Sequence, residues 1–249
     1  MLIIKAGIFK KYSELIFGFS TKIGLNRSAP YYFNMSFSVN DSKSIVESNR
    51  KFFFRKLGLD SSSVASPKQV HEDNVVIIND GNYCGESDAM ITHKPNLGLA
   101  ISSADCPAIF LYDPVNRVIA AVHSGWRGTQ KSILVKTLSK LVKDFNSNPI
   151  DLIAYIAPSI SQKNYEVGEE VASLFGNKYK VTKGEKYLLD LQGINKDLML
   201  DSGLQNKNIK VSSLCSYGMK DLLHSYRRDG EKSGRAFGVI SLKENHETR

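Results

Sequence analysis

At 249 residues, with 42% hydrophobic and 23% charged residues, the chain has the composition of a globular protein with room for one large core or two small ones. No apolar run approaches the roughly 20 residues that a membrane helix needs, and Lys5, Lys10 and Lys11 interrupt the apolar start where a secretion signal would be continuous, so the expected setting is cytoplasmic with no membrane partner. The net charge of +8 is dispersed among acids without a basic run or nucleic-acid motif, which argues against nucleic acid and leaves anionic small molecules as compatible ligands; no partner protein is evident.

Residues 1–39 alternate short apolar runs with polar turns, and GFSTKIGL (18–25) and YYFNMSFSV (31–39) read as strands. Asn40 and Asp41 offer a cap for a helix over 41–59, with Ile45, Val46, Asn49, Phe53 and Leu57 near one face and Gly58 as its stop. A Ser-rich loop at 61–66 leads to VVII (75–78), a buried-strand candidate with His71 just before it. GNYCGES (81–87) is a loop and DAMIT (88–92) a short strand.

Residues 97–129 organise the rest. LGLAIS, AIFLY and RVIAAV are strand-like runs broken by Asp105-Cys106-Pro107 and by the turn chemistry of residues 113–116, and His123 to Gly128 follows the last of them. A helix is expected over 129–145, with Leu134, Leu138, Leu141, Val142 and Phe145 at helical spacing. Beyond it come a strand in DLIAYIAP, a short helix in YEVGEEVASLF, a helix ending at Gly203, a strand in IKVSSLC, and an arginine-bearing loop leading to a last strand before residue 242. No linker or repeat divides the chain, so residues 1–249 are expected to form a single domain.

Cys84, Cys106 and Cys215 are widely spaced and odd in number, which fits a reducing compartment rather than a disulfide framework. Cys106 shares strand ends with His71 and His123. Two imidazoles and a thiolate suit zinc, with a fourth position open as in catalytic sites. The same trio also fits a metal-free nucleophile, Cys106, with His123 as base and Asp105 or another acid orienting the ring. It fits equally a buried structural Cys beside two hydrogen-bonded histidines.

The segment His224 to Gly230, with Lys232 and Arg235, concentrates donors of the kind that hold phosphate or carboxylate, although an isolated RRDG is more often a solvated loop. Trp126 reads as a packing residue, Cys84 and Cys215 as structural, and His93 and His246 as surface or capping residues.

KQVH (68–71), SADCPAIFLYD (103–113), AAVHSGWRGT (121–129 with its leading Ala at 120), APSISQKNYEVG (157–168) and YRRDGEKSGR (226–235), in this order and spacing, resemble the YfiH-type family, also called laccase-domain or polyphenol-oxidase-like proteins. FSTKIG with Asn34 beyond it looks like that family's N-terminal motif, and the likeness runs from about residue 18 to 242. The resemblance implies an α+β fold of mixed β-sheets packed together and covered by helices, layered α/β/β/α. It implies His71, Cys106 and His123 as metal ligands and catalytic residues, with Asp105 orienting a ligand or relaying a proton. Lys22, Asn34, Arg227, Arg228 and Arg235 would bind substrate.

The activity implied is phosphorolysis of purine nucleosides (adenosine, inosine, methylthioadenosine) by a zinc enzyme that takes nucleoside and phosphate, with adenosine deamination beside it. The alternative the family also implies is removal of misincorporated serine from peptidoglycan precursors at the same site. The laccase label implies copper. However, with His71 and His123 assigned, only three of the five histidines remain, too few for a trinuclear cluster beside a blue-copper site. Against the family pattern, Lys22 replaces an Arg, Glu72 a Gly and Ser124 an Ala, and Ala157, Ser161 and Lys163 stand where Gly, Gly and Cys are usual.

Overall fold

The three apolar runs at 98–103, 108–113 and 118–123 are strands, and residues along them point alternately into two different hydrophobic clusters. Strands with two apolar faces need a covering layer on each side. The computed structural model describes residues 1–244 except Asn82 and Cys84, so what was expected of Cys84 and His246 lies outside the described residues.

In chain order the strands are β1 (Ile3–Ile4), β2 (Leu15–Ser20), β3 (Val64–Ala65), β4 (Val75–Ile77), β5 (Ala89–Thr92), β6 (Gly98–Ser103), β7 (Ala108–Asp113), β8 (Val118–His123), β9 (Ile153–Ile156), β10 (Glu166–Val167), β11 (Lys180–Lys183), β12 (Lys186–Leu189), β13 (Ile209–Val211) and β14 (Ala236–Leu242). The α-helices are α1 (Lys43–Lys56), α2 (Trp126–Gln130), α3 (Ile133–Phe145), α4 (Glu169–Ala172), α5 (Leu191–Asp201) and α6 (Tyr226–Asp229). One sheet runs β1-β2-β14-β6-β3, a second β13-β9-β7-β8-β5-β4, and a small third β10-β12-β11.

Phe17, Phe19, Leu99, Ile101 and Ile240 of the first sheet pack against Met90, Phe110, Tyr112, Ala121 and Tyr155 of the second, forming the inter-sheet core. The far face of the first sheet, with Ala100, Phe237 and Val239, is covered by Phe53, Phe54 and Leu57 at the α1 end. The far face of the second, with Ile109, Leu111, Ala120 and Val122, is covered by Leu134, Leu138 and Leu141 of α3 and Met199 of α5. The molecule is therefore a mixed α+β domain layered helix, sheet, sheet, helix. Among the described residues no helix is long and apolar enough to cross a membrane.

Several expectations need correction. YYFNMSFSV is not a strand. The stretch is irregular and is tied to β14 by hydrogen bonds from Met35 N to Arg235 O and from Arg235 N to Asn34 Oδ1. Its neighbour GFSTKIGL leaves the sheet at Ser20. VVII is an edge strand with Ile77 exposed, because β4 pairs with β5 alone.

The helix expected over 129–145 is two helices, broken at Ser132, whose φ of 62° is left-handed. YEVGEEVASLF splits into β10 and the single turn α4. Tyr226–Asp229 is helical rather than a loop, capped by Ser225, and the hairpin of β11 and β12 is an element that the sequence pattern does not announce.

Gly238 faces the inter-sheet core, and a Cβ there would overlap the Phe110 ring. That ring is fully buried and cannot swing clear. Gly238→Ala is expected to destabilise the fold by about 1–3 kcal/mol through overpacking, read as a lower midpoint in denaturant with the slope unchanged. Wild-type stability in this variant would show that the core yields at Phe110.

Candidate metal centre

The hairpin of β7 and β8 sets Ala108 opposite His123, which brings Cys106 on the entering turn alongside the imidazole. His71 arrives on the loop before β4. The ligand atoms of His71, Cys106 and His123 all lie within 4.8 Å of one another, and the two rings meet edge-on with centroids 4.8 Å apart. His123 is buried, Cys106 half-buried and His71 exposed, so the centre is open on the His71 side.

Asp88, absent from the residues picked out in the sequence, builds this arrangement. Its carboxylate is fully buried at the start of β5 and accepts a 2.7 Å hydrogen bond from His123 Nδ1. It also accepts the backbone N–H groups of Val70, His71 and Glu72 at 3.1, 3.1 and 2.9 Å. Three consecutive amides converge on one anion because His71 is left-handed, with φ 61°. Asp88 is therefore the acid that orients the imidazole, the other acid that the sequence leaves open beside Asp105. The only hint in the sequence was an acid opening a short strand.

Charge is distributed accordingly. Burial pushes the Cys106 thiol up, but hydrogen bonding and charge from His123, then His71, outweigh it and bring the thiol down to about 6. Burial pulls His123 down, but hydrogen bonds with Asp88 and Cys106 outweigh that and raise it to about 9. Burial opposes ionisation of Asp88, yet the hydrogen bond from His123 leaves its carboxyl below the usual range.

The donors fit a zinc ion: one thiolate, two imidazoles, and a carboxylate on the far nitrogen of one imidazole that leaves Nε2 to coordinate. Gly125 keeps the space clear, since a Cβ there would lie 3.0 Å from Cys106 Sγ and 3.5 Å from the His71 ring. Among the described residues this is the one group of three or more His, Cys, Asp or Glu side chains arranged to hold a metal. His93 stands apart against Phe145, and His224 is buried with its ring 3.5 Å from Phe33 O and its pKa pushed down to about 3 by burial.

The residues expected to bind substrate divide into two groups. Arg228 donates to both oxygens of Asp229 and to the carbonyls of Ser216, Tyr217 and Leu223. Those five contacts occupy all five guanidinium N–H groups, so Arg228 clamps its own loop and has none left for an anion. Asn34 is likewise occupied: its oxygen accepts from Ser36 N and Arg235 N, and its amide donates to Ser36 O and Asp41.

Arg227 is exposed, lies over Tyr165, and reaches Glu166 O. Arg235 is half-buried over Tyr226 with one nitrogen on Ser233 O and Gly234 O, and it feels the charges of Asp105 and Cys106. The Lys22 amine lies over Tyr32 and donates to Lys220 O, its pKa lowered by burial. Tyr165, within the APSISQKNYEVG stretch, lies within electrostatic reach of Cys106, Arg227 and Asp105.

The departures from the family pattern have partners of their own. Glu72 pairs with Lys131, and Ser124 bonds Asn195 and Thr129 in a buried network joining α2 to α5. Ser161 donates to Cys215, which Asn164 also contacts. Trp126 packs in the cluster of Val167, Val171 and Leu191, as a packing residue should.

A metal needs neutral His123 and thiolate Cys106, so loading expels the His123 proton. Apparent zinc affinity is expected to rise with pH until about 9, and more steeply below about 6 where the thiol also holds a proton. Chelator competition across that range measures it, and a flat profile between pH 7 and about 9 would contradict the ion-pair assignment. Asp88→Asn should weaken zinc binding about 10–100-fold in the same assay.

A family model described as "Multi-copper polyphenol oxidoreductase laccase" matches residues 16–243. The chain is 33% identical over 252 residues to "Purine nucleoside phosphorylase YlmD" of Bacillus subtilis (strain 168), covering 93% of this chain and 90% of that protein. It is 30% identical to "Purine nucleoside phosphorylase YfiH" of Escherichia coli (strain K12), with 90% and 92% covered. The crystal structure of hypothetical protein YfiH from Bacillus licheniformis superposes with a TM-score of 0.90 at 32% identity, over 94% of this chain and 95% of that one.

Proposed function

This chain belongs to the YfiH laccase-domain family, and on that premise we propose that it is a zinc-dependent purine nucleoside phosphorylase with adenosine deaminase activity. The observation that carries the proposal is the conjunction at one end of the sheets of a three-donor centre with an aromatic and cationic border. The relatives' names support the reaction class. Adenosine, inosine and methylthioadenosine are the substrates proposed, and zinc is proposed over copper because neither phosphorolysis nor deamination changes an oxidation state, so the reaction calls for a Lewis acid rather than a redox metal.

A zinc ion bound there supplies Lewis-acid polarisation and acidifies water, the chemistry that deamination requires. The chain's own residues do the rest. In phosphorolysis a phosphate oxygen bonds to C1′ of the ribose as the bond to the purine breaks, and positive character develops on the sugar. Arg227, Arg235 and Lys22 offer cationic donors to hold the phosphate dianion against that centre. The Tyr165 ring offers a flat face for the purine. Asp88 holds the His123 ring in one orientation throughout.

Incubation of zinc-loaded protein with inosine or adenosine and phosphate is expected to yield free base and ribose phosphate, with ammonia released from adenosine. Absence of turnover on both of these nucleosides and on methylthioadenosine would overturn the proposal.

One observation also favours a metal-free reading: Cys106, His123 and Asp88 form a nucleophile, base and orienting acid in sequence. Cys106→Ser disables both mechanisms, so His71 separates them. His71→Ala should remove zinc and activity together, with chelation inactivating the wild type reversibly. Full activity in metal-free protein and in His71→Ala would assign the chemistry to the cysteine.

A further inference from the structure

We infer that Asp105 is a positioning residue, whose carboxylate fixes the segment bearing Arg227 against the turn bearing Cys106. The structural part of this inference stands alone, and its kinetic consequence rests on the phosphorolysis reading above.

Asp105 is non-glycine with φ 95°, a conformation that persists only where surrounding contacts enforce it. Those contacts come from three directions. The backbone carbonyl accepts Ile160 N at 2.9 Å. Oδ1 accepts the Ser216 hydroxyl at 2.5 Å, and Oδ2 accepts Arg227 N at 2.7 Å. With the residue 8% exposed, both bonds are made by an acid largely removed from water, where charge-assisted hydrogen bonds are strong.

Neither bond is made to the imidazole of the centre. A backbone amide does not give up its proton at ordinary pH, and the imidazole of the centre is oriented by Asp88. What the two bonds do accomplish is mechanical. Ser216 belongs to a turn whose carbonyls at 216 and 217 are gripped from the other side by Arg228. Ser225 accepts Arg228 N, so Asp105 and Ser225 between them secure two successive amides of α6. The Arg227 side chain leaves from that fixed point, over Tyr165 and toward solvent. One residue along the chain from Asp105 is Cys106. The Asp105 carboxylate thus ties the backbone of Arg227 to the turn that carries Cys106.

Three substitutions distinguish contact, backbone and proton roles. Asp105→Gly relieves the left-handed strain and removes both contacts. Asp105→Asn tolerates the conformation and keeps an acceptor. Ser216→Ala removes one contact from the other side. Zinc content should match the wild type in all of them, since no metal donor is altered.

In Asp105→Gly, amide hydrogen exchange at Arg227 should accelerate, and KM for phosphate should rise about tenfold, the size of one lost charge-assisted hydrogen bond, with kcat changing less. Asp105→Asn should fall between Gly and wild type, and Ser216→Ala should shift the same way by less. Wild-type exchange and KM in Asp105→Gly would overturn the inference in favour of a purely conformational role. A collapse of kcat in Asp105→Asn at unchanged KM would overturn it in favour of proton transfer. Exchange at Arg227 reads the anchor even in a protein that turns over no nucleoside, so failure of the phosphorylase reading and failure of this one are told apart.

Discussion

One buried carboxylate makes four hydrogen bonds, and the candidate metal centre depends on them. Asp88 gathers three backbone amides of the loop that carries His71 and the Nδ1 of His123 at the end of β8. Burying an unpaired carboxylate costs several kcal/mol, whereas hydrogen bonds to a charged group return about 1.5–3 kcal/mol each. The four bonds make the ionised form tolerable, and the ionised form in turn dictates where the loop sits. Removing the charge therefore does more than weaken a ligand. It leaves three amides and an imidazole nitrogen converging on a site that no longer attracts them.

The two-sheet frame supplies the rigidity that such convergence requires. Alternation along β8 puts residues 119, 121 and 123 on one face, and Ile119 and Ala121 are locked in the inter-sheet core. The imidazole of His123 thus leaves the strand on the side toward the first sheet, at the end where Ser103 and Ala236 close the layer. Cys106 is held by its own turn, where Ser103 Oγ donates to Cys106 O at 2.6 Å. Of the three candidate ligands, His71 alone is carried by a loop open to solvent. It is accordingly the ligand that needs Asp88 most, and the surface pairs Glu72–Lys131 and Asp73–Lys136 flank it at little energetic weight.

The layered fold was legible because its signals are local, whereas His71, Cys106 and His123, far apart in the chain, were grouped only by their places at strand ends and by the family resemblance. The residues of an apolar run or a helix face lie within a few positions of one another. Asp88 was not legible, because its importance comes from contacts with residues 16 to 35 positions away. The stretch 31–39 misled for the opposite reason: its composition suits a strand, but Asn34 takes the backbone groups of Ser36 and Arg235 that a ladder would use. The lysines of β11 and β12 concealed a hairpin, since KVTK and KYLL are short, lysine-bearing and mostly unburied, and so give no long apolar run.

Arg227 and Arg228 show how far residue type can carry a functional assignment. Both are arginines in the same short helix, and the sequence offers no basis for separating them. Arg228 lies next to Asp229 and among carbonyls from 216, 217 and 223, so its planar fork is filled from within the chain. Arg227 turns outward, and the chain claims its backbone N–H through Asp105 rather than closing every donor of its side chain. A cation is available to a ligand only to the extent that the fold has not already satisfied it. In this protein the fold uses one arginine to make the loop rigid and thereby presents its neighbour.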